Sequence, residues 1–534
     1  MPLDALYQQV KRDRLLRYEQ ALADGTYRPY VWPWDTLPAL WLFLGVLILP
    51  RLSLRIAGFL RPLLILLMVG QGLWTCYRCR AIDMAGGYGI GLTNDWCFIM
   101  AGALLVFNDV KEDVKRLEDR PYVEGEKSTS QNGSTSSAVD EKDARQRTGQ
   151  QQLNGAERIA NKTSDHTTSL QWQTYPDSLG HCSEWIIDLL TCFRGVNWSF
   201  RAPLLGPIEG VQPAYPDRKQ SKASRSLRVE KDISVVRGKA LRDIVFWYIM
   251  LDLAKTLVIH DPYYFGFAEL DTAHPLQLLR GHRHLTKLAR LSISMFSVVV
   301  ALSSIFTLCP LIFPILRKVL PPSTIATPLS HPSMYPPFWS QTPFTDIANS
   351  GLAAFWSKVW HQMFTFGISQ PSLYLTQHIP YLARKGPRSQ TARAVQLLTA
   401  FLATGSIHAM AAWTSFPANP ARPPRPIWGS GLFFVLQALG IMAQSTFSRA
   451  VSSKRWPLWS RKAGNVLFVL VWLWFTGPIL SDDFAKCGVW LFEPIPISLF
   501  RGLLGEGWWC WGGRWAGLIY GDGVPWYRWG IAVY

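Results

Sequence analysis

Two histidines set in apolar surroundings are the residues of this chain best suited to chemistry. His408 lies fifteen residues beyond Arg393 in a mostly apolar run, with Gly405, Ser406 and Ala409 beside it. An ionisable group at membrane depth is costly and marks a functional site by default. Its small neighbours leave room for a ligand or for a neighbouring helix. Thr404 precedes His408 by one helical turn, so both point to one face. The alternative reading is an interhelical hydrogen bond from a neutral imidazole. The second histidine, His361, belongs to Ser350–Phe364. On a helical projection Phe355, Trp356, Val359, Trp360, Met363 and Phe364 fill one half, and Ser357, Lys358, His361, Gln362 and Thr365 fill the other. That pattern predicts a helix at an interface or lining a cavity, or an ordinary amphipathic helix with its polar face in water. Neither histidine belongs to H-E-x-x-H or another metal pattern. A neutral imidazole in a membrane can take a proton from an alcohol and return it to a leaving thiol. No G-x-S-x-G nucleophile motif is present, so direct attack of an activated hydroxyl on a thioester fits better than a covalent acyl-enzyme.

The elements that must position these residues are membrane spans. Of 534 residues 49% are hydrophobic, which an average soluble chain also reaches, but only 17% are charged, against about 25% typically. Runs of roughly 20 apolar residues separate the polar stretches, the length a helix needs to cross about 30 Å of hydrocarbon. Backbone groups in lipid must bond internally, so such runs read as helices. The clearest are Ala240–Ile259, Leu291–Phe313, Arg393–Trp413, Trp428–Phe447 and Ala463–Leu480, followed by Leu37–Leu49, Leu52–Trp74 and Tyr88–Phe107. Pro50 and Arg51 shorten the first of the second group, which could be re-entrant. Phe484–Phe500 is apolar but interrupted by Glu493, Pro494 and Pro496. The fold class is therefore all-α, a polytopic transmembrane bundle of about seven to nine spans.

Five regions follow: a polar segment (1–36), N-terminal spans (37–110), a polar loop (111–180), an amphipathic segment (181–239) and a transmembrane core (240–534). The loop is rich in Ser, Thr, Gln, Asn, Glu and Lys and is expected to be disordered. It carries the sequons at Asn132 and Asn161, which would make a glycoprotein only if the loop is lumenal. Ser183–Leu190 reads as an amphipathic helix lying on the membrane, and Pro417–Pro426 as an extended connection. No signal peptide is visible, which makes the first span the expected anchor. The net charge of +17 suits basic cytosolic loops facing anionic lipid, and no motif for binding nucleic acid competes. Arg384, Lys385, Arg388 and Arg393 fall on one side, and Arg449, Lys454, Arg455, Arg461 and Lys462 recur there two spans later. Eight scattered cysteines give no disulfide framework, and Cys76-x-x-Cys79 has no second pair to complete a zinc site.

Phe355-Trp356 through Trp360-His361-Gln362, with His408 in the next span, resembles the wax synthase-like branch of the membrane-bound O-acyltransferases. Arg194-Gly-Val-Asn-Trp resembles that family's R-G-x-x-W segment, and Phe246–Leu253, running on to His260-Asp-Pro-Tyr, its Y-x-x-x-D-L segment. Pro336-Pro-Phe-Trp-Ser resembles its P-P-L-F-G lead-in, with Trp339 and Ser340 departing from it. The likeness covers about Arg194 to Phe447. It implies a helical membrane enzyme of the endoplasmic reticulum that moves an acyl group from acyl-CoA to a lipophilic alcohol, with no further cofactor. It makes His408 the base and His361 a second catalytic residue nearer the cytosolic mouth. Lys358, Trp360, Gln362 and Thr404 would then contact substrate. Ser357-Lys358 replaces the family's common Gly-Arg, although Lys358 keeps a positive charge for phosphate.

The layout is similar to that of fungal members that acetylate terpenoid or meroterpenoid alcohols in secondary metabolism. Long-chain wax or sterol ester synthesis is the alternative within the family. Outside it stands a non-catalytic transporter using Asp95, Asp252, Lys255 and His408 as an ion path, although no repeat of spans supports one.

Overall fold

The computed structural model describes residues 3–121, 168–206, 214, 230, 232–316, 332–452, 456–512, 515–520, 525 and 528–534. The sequons at Asn132 and Asn161 lie outside them. Helix α1 (Leu3–Ala23) places Tyr7, Val10, Arg14 and Tyr18 on one buried stripe at helical spacing. Strand β1 (Tyr30–Trp32) leads into α2 (Leu37–Ile48), α3 (Leu54–Arg78), α4 (Gly89–Ala101) and the short α5 (Val110–Asp113). Strands β2 (Arg116–Pro121) and β3 (Thr168–Gln173) flank the polar loop, followed by α6 (Leu179–Thr191), α7 (Ile233–Ile259), α8 (Arg283–Leu316), α9 (Pro343–Ala354), α10 (Thr365–His378) and α11 (Pro380–Lys385). The chain continues through α12 (Gln390–Thr414), α13 (Leu432–Ser452), α14 (Leu458–Cys487), α15 (Leu499–Leu503), β4 (Ala516–Ile519) and β5 (Gly530–Val533).

Among the described residues seven helical segments are long and apolar enough to cross a membrane. They are Trp34–Arg51, Leu54–Arg78, Gly86–Phe107, Arg283–Ile315, Gln390–Thr414, Ile427–Ala450 and Leu458–Cys487. The mostly helical, multi-pass class expected from the sequence is thus the observed one. Ala240–Ile259, expected among the clearest spans, is helical but not one of the seven, because Arg242, Asp243, Asp252 and Lys255 interrupt its apolar surface. Asp252 and Lys255 do not pair with each other. Asp252 accepts from the Ser498 hydroxyl and, at 2.6 Å, from the Leu499 amide, which anchors the start of α15. Lys255 donates to the Trp490 carbonyl and lies 4.0 Å from Glu493. Burial alone would raise the Glu493 carboxyl. The Lys255, Lys11 and Arg501 cations outweigh burial and hold it at about 2.

Two expectations need correction, and one alternative narrows. The ends of the polar loop are not irregular: β2 and β3 pair antiparallel, Arg116 opposite Gln173 and Pro121 opposite Thr168. Helix α6 turns its apolar face to protein and not to lipid. Cys182, Trp185, Ile186 and Leu189 enter the main core beside Leu42, Val46, Trp198 and Phe366, where aromatic and aliphatic partners already wait. Leu37–Leu49 lies in a helical segment, Trp34–Arg51, long enough to span, so it need not be re-entrant. The two ends of the chain meet in a small antiparallel sheet of order β1-β5-β4, with Tyr30 opposite Val533. All eight cysteines are free, and no metal-holding group of His, Cys, Asp and Glu occurs among the described residues.

Candidate functional site

Ser389 caps α12 by accepting from the Ala392 amide at 3.2 Å, so the helix carrying His408 starts beside the basic Arg384–Arg393 segment. Two close backbone approaches then set the depth of His408. A Cβ on Gly91 of α4 would meet the Met410 carbonyl oxygen at 2.1 Å. A Cβ on Gly405 would come within 2.9 Å of the Gly431 carbonyl. Thr414 ties the first contact together: its hydroxyl accepts from the Gly91 amide at 2.9 Å and donates to the Gly87 carbonyl at 2.7 Å. Small residues at these points let α4, α12 and the π-turn Ile427–Gly431 approach backbone to backbone.

His408 projects from this junction into a cavity of about 2110 Å³. Its ring stacks on Phe434, with centroids 4.5 Å apart and planes 14° from parallel. Its Nδ1 lies 2.8 Å from the Tyr88 hydroxyl. Among the described residues no protein group meets Nε2, which leaves that nitrogen for a ligand. One residue pair along, Ser406 donates to Asp95 at 2.7 Å, a second polar tie between α12 and α4.

His361 is not on a helix, contrary to the projection above. Helix α9 bends at Gly351, whose φ is 61° and whose Cβ position is occupied by the Gln444 side chain. Past Ala354 the chain widens into a π-turn, closed by the Trp360 amide donating to the Phe355 carbonyl at 2.7 Å. Trp360 is extended and Phe364 sits at φ 67°, so residues 360–364 form a bend between α9 and α10. The bend turns His361 against Phe338 (centroids 5.8 Å, planes 28° apart), Trp360 (5.2 Å) and Trp339 (6.4 Å). Its Nδ1 is buried with no protein partner. Burial pushes the imidazole down to about 3, helped by nearby His408 and Arg194. The unfolded chain would bind a proton near pH 6.5 that folded His361 refuses, so stability falls as pH drops below that value. Melting of the detergent-solubilised protein between pH 7 and 5 checks this: the midpoint of the wild type is expected to fall more than that of His361→Gln.

All six residues singled out in the sequence line the same cavity: His408, His361, Lys358, Trp360, Gln362 and Thr404. Their side chains are not equally available. Gln362 accepts from the Leu204 amide at 2.8 Å and donates to the Ser357 carbonyl, so its amide braces the bend. Thr404 donates to the Ala400 carbonyl at 2.9 Å within its own helix. Lys358 is half exposed and lies 3.6 Å from Asp346. Trp360 belongs to an aromatic cluster with Trp339, Phe355 and Trp356.

Several residues of the site were given no role of their own by the sequence. Arg194 donates to the carbonyls of Pro336 and Pro337 at 3.3 and 3.0 Å and lies over the Phe338 ring, joining the Arg-Gly-x-x-Trp and Pro-Pro-Phe-Trp segments. Trp198 of the same motif is fully buried against Trp185 and Phe200. Tyr88 and Phe434 read as ordinary residues of apolar spans. The one sequence signal near Tyr88 is the run of glycines at 86, 87, 89 and 91, a mark of close backbone approach.

Residues 335–436, which hold both histidines, match the membrane bound O-acyl transferase family. The chain is 29% identical over 158 residues to the acetyltransferase eriL of Hericium erinaceus, covering 29% of this chain and 38% of that protein. It is 30% identical over 139 residues to the acetyltransferase fsoF of Humicola fuscoatra, covering 24% of this chain and 31% of that protein. The aligned part thus spans about a third of the length of these relatives. No solved structure matches. The two histidines that face one cavity between spans thus both lie on the segment that matches the membrane bound O-acyl transferase family.

Proposed function

We propose that this protein transfers acetyl from acetyl-CoA to the hydroxyl of a bulky lipophilic alcohol, a terpenoid or meroterpenoid intermediate of fungal secondary metabolism. The observation that carries the reading is the cavity itself, about 2110 Å³ and lined by both histidines. That exceeds the roughly 300–1,000 Å³ of most small-molecule pockets and suits two substrates held together. Leu291, Met295, Leu302, Leu470, Leu473 and Trp474 give it an apolar wall for a lipid-borne acceptor. Two relatives named acetyltransferases support the short acyl group.

His408 Nε2 takes the acceptor's proton as its oxygen attacks the thioester carbonyl. The tetrahedral intermediate then collapses, the C–S bond breaks, and the imidazolium returns the proton to the CoA thiolate. The products are the ester and free CoA, with no redox change. His361 packs the donor side, and Lys358, once drawn from Asp346, faces the CoA phosphates. The basic loops at Arg384–Arg393 and beyond Arg449 lie in the cytosol, where CoA is available, in a membrane of the endoplasmic reticulum. An ion path is less well supported, because Asp95, Asp252 and Lys255 are each engaged by other protein groups.

The test is ester formation by purified protein from labelled acetyl-CoA and a mixture of terpenoid and sterol alcohols, run beside palmitoyl-CoA. Acetyl esters of the terpenoids are expected. Preference for palmitoyl transfer would move the reading to wax or sterol ester synthesis, and no ester from any donor would overturn it. His361→Ala is expected to raise the acetyl-CoA KM several-fold more than it lowers kcat; donor titration of the variant decides, and an unchanged KM would refute the donor-side role.

A further inference from the structure

Tyr88 belongs to the N-terminal half of the chain, outside the matched residues 335–436, yet it makes the one hydrogen bond that His408 has among the described residues. What lies behind Tyr88 gives that bond a direction. The Ser430 side chain is within electrostatic reach of the Tyr88 hydroxyl. Ser430 in turn donates its hydroxyl proton to Asp483 at 2.6 Å, and its amide to the same carboxylate oxygen at 3.0 Å. The Arg425 amide donates to the other oxygen at 3.0 Å. Asp483 is buried against the backbone of the π-turn, where a Cβ on Gly429 would fall 2.4 Å from its carboxyl carbon. A carboxylate accepts only, so it draws the Ser430 proton toward itself. That leaves the Ser430 oxygen an acceptor role, and a Tyr88 proton turned toward it lets the Tyr88 oxygen accept from His408 Nδ1–H. Read in that order, every hydroxyl has one donor role and one acceptor role.

We infer that Tyr88 is a positioning residue for His408: it holds the proton on Nδ1, backed by Ser430 and Asp483, and so leaves Nε2 bare toward the cavity. The second nitrogen's partner sets the tautomer of a catalytic histidine, and here a neutral hydroxyl relay does what a carboxylate does elsewhere. The geometry is built in. Tyr88 lies between Gly87 and Gly91, both clamped by Thr414 on the helix that bears His408. The inference rests on the acyl-transfer reading for its kinetic consequences, but not for the tautomer itself.

Tyr88→Phe keeps the ring and removes the hydroxyl. With wild-type ester formation as reference, kcat is expected to fall about 10- to 100-fold with the acetyl-CoA KM within about twofold, the size of other losses of an orienting partner. Introduced into His408→Ala, the same change is expected to cost nothing further, because Tyr88 acts only through the imidazole. An equal loss in both backgrounds, or none in the wild type, would overturn the inference while leaving acyl transfer intact. A second measurement does not need activity. In ¹⁵N-histidine-labelled protein in nanodiscs, with His408 assigned by difference from His408→Gln, the Nδ1–H tautomer is expected in the wild type and a mixture in Tyr88→Phe. An Nε2–H tautomer in the wild type, or no change on losing the hydroxyl, would equally overturn it.

Discussion

His408→Ala is expected to reduce ester formation by about 10²–10⁴-fold while membrane abundance stays normal. The size follows from the role. Without the imidazole no other titratable side chain among the described residues is as well placed, because His361 is packed among Phe338, Trp339 and Trp360 with its Nδ1 sealed. The stability cost is small by comparison. The variant loses one hydrogen bond to Tyr88, about 1 kcal/mol net, and the stacking on Phe434. Rates of acetyl transfer by equal amounts of folded wild type and variant check the expectation, with monodispersity in detergent as the folding control. A variant retaining most of its activity would remove His408 as the base.

The largest structural effect is expected at Gly91. Its Cβ would meet the Met410 oxygen at 2.1 Å and the Ala411 nitrogen at 2.6 Å, both backbone atoms of α12 that cannot rotate away. Gly91→Val must therefore push α4 from α12 and break the Gly91–Thr414 hydrogen bond at 2.9 Å. A cost of about 3 kcal/mol or more is expected, seen as a lower melting midpoint and poor yield. Because Tyr88 and His408 sit on either side of this contact, the surviving protein should also lose activity. Gly58→Ala is the matched control. Gly58 lies in α3 with nothing within 4 Å of its Cβ position, so alanine there should be neutral or stabilise by up to about 1 kcal/mol. Equal melting midpoints for Gly91→Val and the wild type would show that α4 and α12 are not so closely apposed.

His408 and His361 differ in how much of their setting could be read along the chain. A histidine among Gly405, Ser406 and Ala409 is conspicuous because charge and lipid are incompatible, and the helix around it is the regular one that the apolar run requires. His361 had the right neighbours and the wrong element. A helical projection assumes 3.6 residues per turn, and it carries no sign of the i to i+5 closure at Trp360 or of the left-handed Phe364. The same limit applied to α6, whose apolar stripe is identical whether lipid or protein covers it. At α7 an apolar run was read as a span although its charged residues have partners from α15 and the segment before it.

The sequence by itself determined that the chain crosses a membrane many times and that two histidines stand near a basic loop. Those properties follow from local composition, since each span must satisfy its own backbone and each polar group in it must have a reason. Only the tertiary structure decided that both histidines open onto one cavity, and that Tyr88, 320 residues away in the chain, touches His408. Such contacts depend on how closely helices approach. That distance is set by glycines and by packing partners from distant parts of the chain, which hydrophobic periodicity does not encode.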